Sequence, residues 1–230
     1  MRLHILYEGE EVKRIGYDMD DVIIDTDTQL REKIFQLFKV DISREDRQSY
    51  YFGDIPDLLS KLGVSKNELE NMVLAAFKDL AKDGMMPGPI TGAVKAIKEL
   101  QKMGHKVYII TARSRDDLII KHLAKLGIVP ERIYFCGSGT VKGASHSTNK
   151  KANLARALKL DYFIDDSAEN LSQFLNTGEK KSKPTVYDTP WNRSNSIISP
   201  HASPEAQSKI KGWVPSLRRI KSHDDILDLI

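Results

Sequence analysis

A single cysteine, Cys136, is the whole thiol content of the 230 residues. No intrachain disulfide can therefore form, and a reducing compartment, the cytoplasm, is the expected location. Cys136 closes the apolar run Ile133-Tyr134-Phe135-Cys136, where a small buried thiol is expected rather than a reactive one. Long hydrophobic runs are also missing. None approaches the roughly 20 residues that span a bilayer, and Met1 to Tyr7 lacks both a long apolar stretch and a small-residue cleavage site. Neither a membrane span nor a secretory leader is expected. Charge of one sign is scarce as well: the formal net charge is +3, which suits an anionic substrate but is too weak to argue for nucleic acid. The six histidines show no metal-ligand spacing, no serine or cysteine nucleophile signature supports a hydrolytic triad, and no internal repeat is found.

What is present is an ordinary globular balance, 40% hydrophobic and 29% charged, over a length that suits one domain with a sizeable insert. Apolar stretches that end in polar residues read as buried strands. They are Arg14 to Tyr17 before Asp18-Met19-Asp20-Asp21, Lys106 to Ile110 before Thr111-Ala112-Arg113-Ser114, Arg132 to Cys136 before Gly137-Ser138-Gly139, and Asp161 to Ile164 before Asp165-Asp166-Ser167, with Thr185 to Tyr187 as a fifth. Helical stripes lie between them: Val94, Ile97, Leu100 and Met103 stopped by Gly104; Ile119, Leu123 and Leu126 stopped by Gly127; Leu154 with Leu158; Leu171 with Leu175. Strands alternating with helices predict an α/β fold with a parallel sheet covered on both faces, whose ligands bind beyond the carboxyl ends of the strands.

Residues 25–86 break that rhythm. Leu30, Ile34, Leu37 and Phe38 fall at helical spacing, a turn-rich stretch runs from Tyr50 to Pro56, and Ser65-Lys66-Asn67-Glu68 fits a capping box for a helix carrying Leu69, Met72, Val73, Ala76, Phe77 and Leu80. This predicts a mostly helical insert after the first strand, with the chain re-entering the core at Pro87-Gly88-Pro89. The stretch 194–208, rich in Ser, Pro and Asn, reads as a long loop, and residues 224–230 as a short terminal helix with Ser222 as its N-cap.

The chemistry gathers at strand ends. Asp18 and Asp20 stand two residues apart just past a buried strand, where an extended chain turns both carboxylates to one opening. They would repel each other there unless a hard cation such as Mg²⁺ were bound. Solvated aspartates at a helix start would look the same. Asp165 and Asp166 repeat the arrangement after a second buried run, and two such ends in one α/β pattern are harder to explain as helix caps. Thr111, with the backbone N–H groups beside it at Ala112 and Arg113, can hold a phosphate oxygen, and the Arg113 fork can add a bidentate contact. Lys150 and Lys151 precede the helix that leads to Asp165. Lys151 is the candidate to balance phosphate charge, with a solvated pair of lysines as the alternative.

In that order, Asp18-x-Asp20-x-Val22, Thr111, Lys151 and Asp165-Asp166 resemble the four motifs of haloacid dehalogenase (HAD) hydrolases over roughly residues 14 to 190. The resemblance implies a three-layer, Rossmann-like HAD core from residues 1–24 and 87–230 and a helical cap from 25–86. It implies catalytic roles for Asp18 as nucleophile, Asp20 as acid and base, Thr111 and Lys151; phosphate binding by Thr111, Ala112, Arg113 and Lys151; and Mg²⁺ held by Asp18, the Asp20 carbonyl and Asp166, with Asp165 and Asn170 supporting. Within the superfamily the chain is similar to the 5'(3')-deoxyribonucleotidases, through Asp18-Met19-Asp20, Asp25, Pro87-Gly88-Pro89 and Thr189-Pro190-Trp191-Asn192-Arg193. It departs from them at Asp21, where those enzymes carry glycine. The implied partner is a small phosphorylated substrate, a nucleoside monophosphate first of all.

Two other readings stay open at this point. Lys180, Lys181, Lys183, Arg218, Arg219 and Lys221 could serve a phosphatase acting on nucleic-acid ends, and the same pocket could belong to a module that binds phosphate without turnover. Tyr50, Tyr51 and Phe52 could stack on a base or form cap core. Trp191 and Trp213 read as packing of the C-terminal segment onto the core. Gly137 to Gly143 matches neither phosphate-loop spacing and reads as a surface loop.

Overall fold

The computed structural model describes residues 11–47, 52–55, 57–82, 86–115, 117–137, 148–167, 170–171, 183–193, 208, 212 and 217–230. Tyr50, Tyr51, Trp213, Lys180, Lys181, Leu175, the loop beyond Gly137 and the stretch 194–207 lie outside these residues.

Six strands form one parallel sheet: β1 (Arg14–Tyr17), β2 (Lys106–Thr111), β3 (Arg132–Phe135), β4 (Tyr162–Asp165), β5 (Lys183–Tyr187) and β6 (Arg218–Ile220), in the order β3-β2-β1-β4-β5-β6. Alternate side chains of each central strand enter different cores, as the period of two requires. Ile15, Tyr17, Val107, Ile109, Tyr162 and Ile164 join one cluster, with Ala93, Ile97 and Leu100 of α4 (Ala93–Lys102), Ile119 and Leu123 of α5 (Asp117–Lys125) and Ile226 of the terminal α7 (Asp224–Leu227). Tyr108, Ile110, Phe163 and Val186 join a second, with Ala152 and Ala155 of α6 (Thr148–Ala157). This is the three-layer α/β arrangement the sequence pattern predicts.

The strand order reverses between β1 and β4. The chain after β1 runs out to one side through β2 and β3, then returns to the other through β4, β5 and β6. Such a switch point opens a crevice at the carboxyl ends of the two neighbouring strands. Tyr17 pairs with both Ile109 and Ile164, and the ladder continues one step further, with the Asp18 N–H donating to the Ile164 carbonyl at 2.8 Å. Asp18 and Asp165 therefore leave the sheet side by side.

The insert builds its own apolar cluster. Leu30 and Ile34 of α1 (Thr26–Phe38) and Leu69 of α3 (Lys66–Lys82) close around Ile42, Phe52, Ile55 and Leu58, the last in the short α2 (Leu58–Leu62). The capping box is present: the Ser65 N–H donates to Glu68 Oε2 at 2.8 Å and Ser65 Oγ accepts the Glu68 N–H at 3.3 Å. Phe52 is buried in this cluster, which places it in insert core rather than on a face open to a base. The two ends of the insert are held together, where the Asp25 N–H donates to the Gly88 carbonyl and the Ile90 N–H to the Ile23 carbonyl. β6 has no counterpart among the sequence-derived strands, because three residues with two exposed arginines carry almost no apolar signal. α6 stops at Ala157, so Leu158 lies past the helix end. No helix of the described residues is long and apolar enough to cross a membrane.

Candidate active site

At the switch point three buried carboxylates meet. One oxygen each from Asp18, Asp165 and Asp166 lies within 4.8 Å of the others. Lys151, a fully buried side chain of α6, reaches between two of them, with Nζ 2.7 Å from Asp18 Oδ2 and 3.0 Å from Asp165 Oδ2. Its neighbour Lys150 points away and donates to the Cys136 carbonyl at the surface. Burial alone would lower the Lys151 pKa, but Asp165 and Asp18 outweigh it and hold the ammonium above its ordinary value.

The acids are less balanced. Burial raises Asp18 well above the usual carboxylate range; Lys151 opposes this, while Asp165, Asp166 and Asp20 add to it. Asp166 is raised by burial first and then by Asp165 and Asp21. One lysine against three clustered acids leaves negative charge that only a proton or a bound cation can neutralise. The donor set, all carboxylate oxygen, suits a hard divalent cation.

The four acids at the site differ in how they are held. Both Asp165 oxygens accept from the Asn170 side chain, at 3.1 and 3.0 Å, and Oδ1 also accepts the Ser167 N–H. Together with Lys151 these bonds occupy that carboxylate heavily. Asp18 Oδ1 accepts its neighbour's N–H, from Met19, at 2.7 Å. Asp166 Oδ2 accepts the indole N–H of Trp191 at 2.8 Å, and its backbone carbonyl accepts from the Asn192 side chain at 2.9 Å. Asp20 stands at the rim, gripped by Arg113 (Nη2 at 2.6 Å) and by the Thr26 hydroxyl at 2.5 Å. Arg113 therefore holds an acid here, where the sequence suggested an anion. Thr111 is fully buried, its hydroxyl accepting the Arg113 N–H at 3.1 Å, and Ala112 lies between them half-buried.

Some site neighbours escape sequence reading. Trp191 is 2% exposed, and its polar edge serves Asp166. Packing describes only its ring, which lies under Arg47 of the insert, 4.6 Å from the guanidinium to the ring centroid. Arg47 in turn forms a buried ion pair with Asp27 and covers the Phe52 ring. Only the cluster Thr189-Pro190-Trp191-Asn192 in an otherwise polar stretch could have pointed to these residues. Arg219, one of the basic residues considered for nucleic acid, is engaged within the chain by Asp188 and Asn192. That weakens the case for a basic track. A cleft of about 380 Å³ is lined among others by Asp25 and Arg44 of the insert and by Tyr187, Asp188 and Arg193, and none of the carboxylates or Lys151 of the site lines it.

Residues 15–137 match the family described as haloacid dehalogenase-like hydrolase. The chain belongs to that family. Among individual relatives, a Bacillus cereus protein named "Putative nucleotidase" is 26% identical over 166 residues, 70% of this chain and 80% of that protein. An Oceanobacillus iheyensis protein of the same description is 22% identical over 182 residues, 79% of this chain and 89% of its own. A HAD family hydrolase from Deinococcus radiodurans, solved with bound phosphate and sodium, superposes with a TM-score of 0.56 at 16% identity, covering 94% of this chain and 93% of its own. At that identity the likeness is one of fold.

Proposed function

We propose that this HAD-like hydrolase is a Mg²⁺-dependent phosphomonoesterase working through an aspartyl-phosphate, with nucleoside monophosphates as its substrates. The observation that carries the reading is the buried set of Asp18, Asp165 and Asp166 around Lys151, open at the switch point of the sheet. When bound, the cation would offset the charge of the substrate phosphate and of the carboxylates, held by Asp18, the Asp20 carbonyl and Asp166.

Asp18 attacks phosphorus in line, forming the Asp18 O–P bond as the ester P–O bond breaks. Asp20, in its acid form, gives its proton to the leaving oxygen. It then takes one from the water that attacks the aspartyl-phosphate, which releases inorganic phosphate and restores Asp18. Lys151 and the groups around Thr111, Ala112 and Arg113 bear the charge on the phosphoryl oxygens. Because Arg113 now holds Asp20, an arriving phosphate competes for the guanidinium and frees the acid to work. Residues 25–86 act as the cap over the crevice. The substrate class rests on the names carried by the Bacillus and Oceanobacillus relatives.

The test is phosphate release from a panel of nucleotide and sugar monophosphates, with Mg²⁺ and with EDTA, for wild type and Asp18→Asn. The reading expects metal-dependent release selective for nucleoside monophosphates and loss of turnover in the folded variant. Release from sugar phosphates alone would keep the chemistry and retire the substrate. Metal-dependent turnover that survives in Asp18→Asn would overturn the mechanism.

A further inference from the structure

The metal-facing acids are not anchored alike. Asp18 and Asp165 grow directly out of paired strands, and Asp165 is tied further by Lys151, Asn170 and the Ser167 N–H. Asp166 lies one residue beyond β4 and among the described residues its side chain has no such ties. Its side chain takes one described hydrogen bond, from the Trp191 indole to Oδ2, while Oδ1 has no hydrogen-bond partner among the described residues. A carboxylate with one oxygen fixed and the other open has its orientation chosen for it.

The indole is itself fixed from two sides. Behind it, Asn192 ties the 189–193 turn to the sheet, donating to the carbonyls of Asp166 and Tyr187 and accepting the Thr189 N–H. In front, Arg47 of the insert lies over the ring face, with Arg44 further out at 5.5 Å. A buried guanidinium over an indole face is attracted by the ring's negative face, more strongly when desolvated. Arg47 is positioned in turn by Asp27 on α1 and by the Phe52 ring. A continuous line of contacts therefore runs from insert core through Arg47 and Trp191 to Asp166.

We propose that Trp191 is a positioning residue for the metal site, its indole N–H setting the orientation of Asp166, and that Arg47 makes this orientation depend on the insert. The inference rests on the metal-dependent reading above but not on any particular substrate. Partners of this kind around a ligating side chain typically change metal affinity by about 10- to 100-fold when removed. Trp191→Phe keeps an aromatic ring under Arg47 and removes the N–H together with the five-membered ring, so a thermal melt accompanies the titration to separate lost packing from lost metal binding.

The experiment is calorimetric titration of the substrate-free protein with Mg²⁺. Trp191→Phe is expected to bind about 10- to 100-fold more weakly, with an unchanged far-UV spectrum. Arg47→Lys, which keeps a cation beside Asp27 but loses the planar contact with the ring, should weaken binding less. Wild type supplies a check that needs no variant. In ¹⁵N-labelled protein, one of the indole N–H signals from the two tryptophans should be shielded from solvent exchange and shift as Mg²⁺ is added. Equal Mg²⁺ affinity in wild type and Trp191→Phe, or indole signals indifferent to Mg²⁺, would overturn the inference and leave the phosphatase reading standing. A wild type that binds no divalent cation would overturn both.

Discussion

Asp21 explains the chain's main departure from the nucleotidase pattern. Its backbone lies in the left-handed region, at φ 57°, where glycine is free of strain and aspartate or asparagine is the next best choice. Glycine or aspartate would each meet the demand of the turn that follows Asp20. The carboxylate has found a use there: Oδ1 accepts the Asp27 N–H at 2.8 Å near the start of α1. It is held at some cost, because burial first and the neighbouring Asp27 next push its pKa up to about 8, against the opposing Asp27 N–H. Asp21→Gly should consequently lie within about 1 kcal/mol of wild type, since relief of strain and of a buried acid offsets the lost bond. Asp21→Val, β-branched in the same conformation, should lose about 2 kcal/mol or more. Urea denaturation of the two variants measures the difference; equal losses would show that the turn is not under conformational demand.

Among the elements, β1 was legible because its apolar run ends abruptly in acids, but the reason for Gly16 was not. A Cβ at that position would sit 2.4 Å from Leu160 Cδ1 and 2.9 Å from Phe163 Cδ2, so a side chain there would have to displace both on that face of the sheet. Gly16→Ala should destabilise by about 1–3 kcal/mol through overpacking and disturb the register that sets Asp18 beside Asp165. A shortfall in activity larger than the stability loss, measured on folded protein, would reveal that disturbance. An Ala variant as stable and active as wild type would mean that Leu160 yields freely. The same contrast holds elsewhere. Lys151 could be singled out by its place before a helix leading to an acid pair, and the structure sets it between Asp18 and Asp165. The link from Arg47 to Trp191 to Asp166 could not be read, because it joins three residues from distant parts of the chain through ring faces and one N–H. No periodicity records such contacts. β6 went unread for the opposite reason: it is paired only through its backbone to β5, and its side chains are mostly exposed.

For the whole molecule, His223 ties the chain's end to its beginning. Its Nε2 donates to the Val22 carbonyl at 2.7 Å, and the ring lies near Tyr17 of β1 and Tyr187 of β5. Burial lowers its pKa to about 4, against a partial opposing effect of the Val22 contact and Asp224. The folded protein therefore keeps this ring neutral while the unfolded chain takes up a proton as pH falls past about 6.5. Stability from this residue is complete above that pH and declines towards pH 4, by up to about 3 kcal/mol. Urea midpoints at pH 7.5 and 4.5 should show that decline in wild type and a flatter profile in His223→Asn; parallel profiles would assign the acid sensitivity elsewhere. The placing of β1 beside β4 has a further consequence, one of timing. Arg14, at the start of β1, bonds to Asp161, 147 positions further along the chain, so Asp18 is made early and waits for neighbours that emerge much later. Contacts spanning such distances close slowly, and a growing chain releases its early segments first. Asp18 is thus exposed long before Lys151 and Asp165 exist to flank it, and a half-made chain carries the carboxylate without its site.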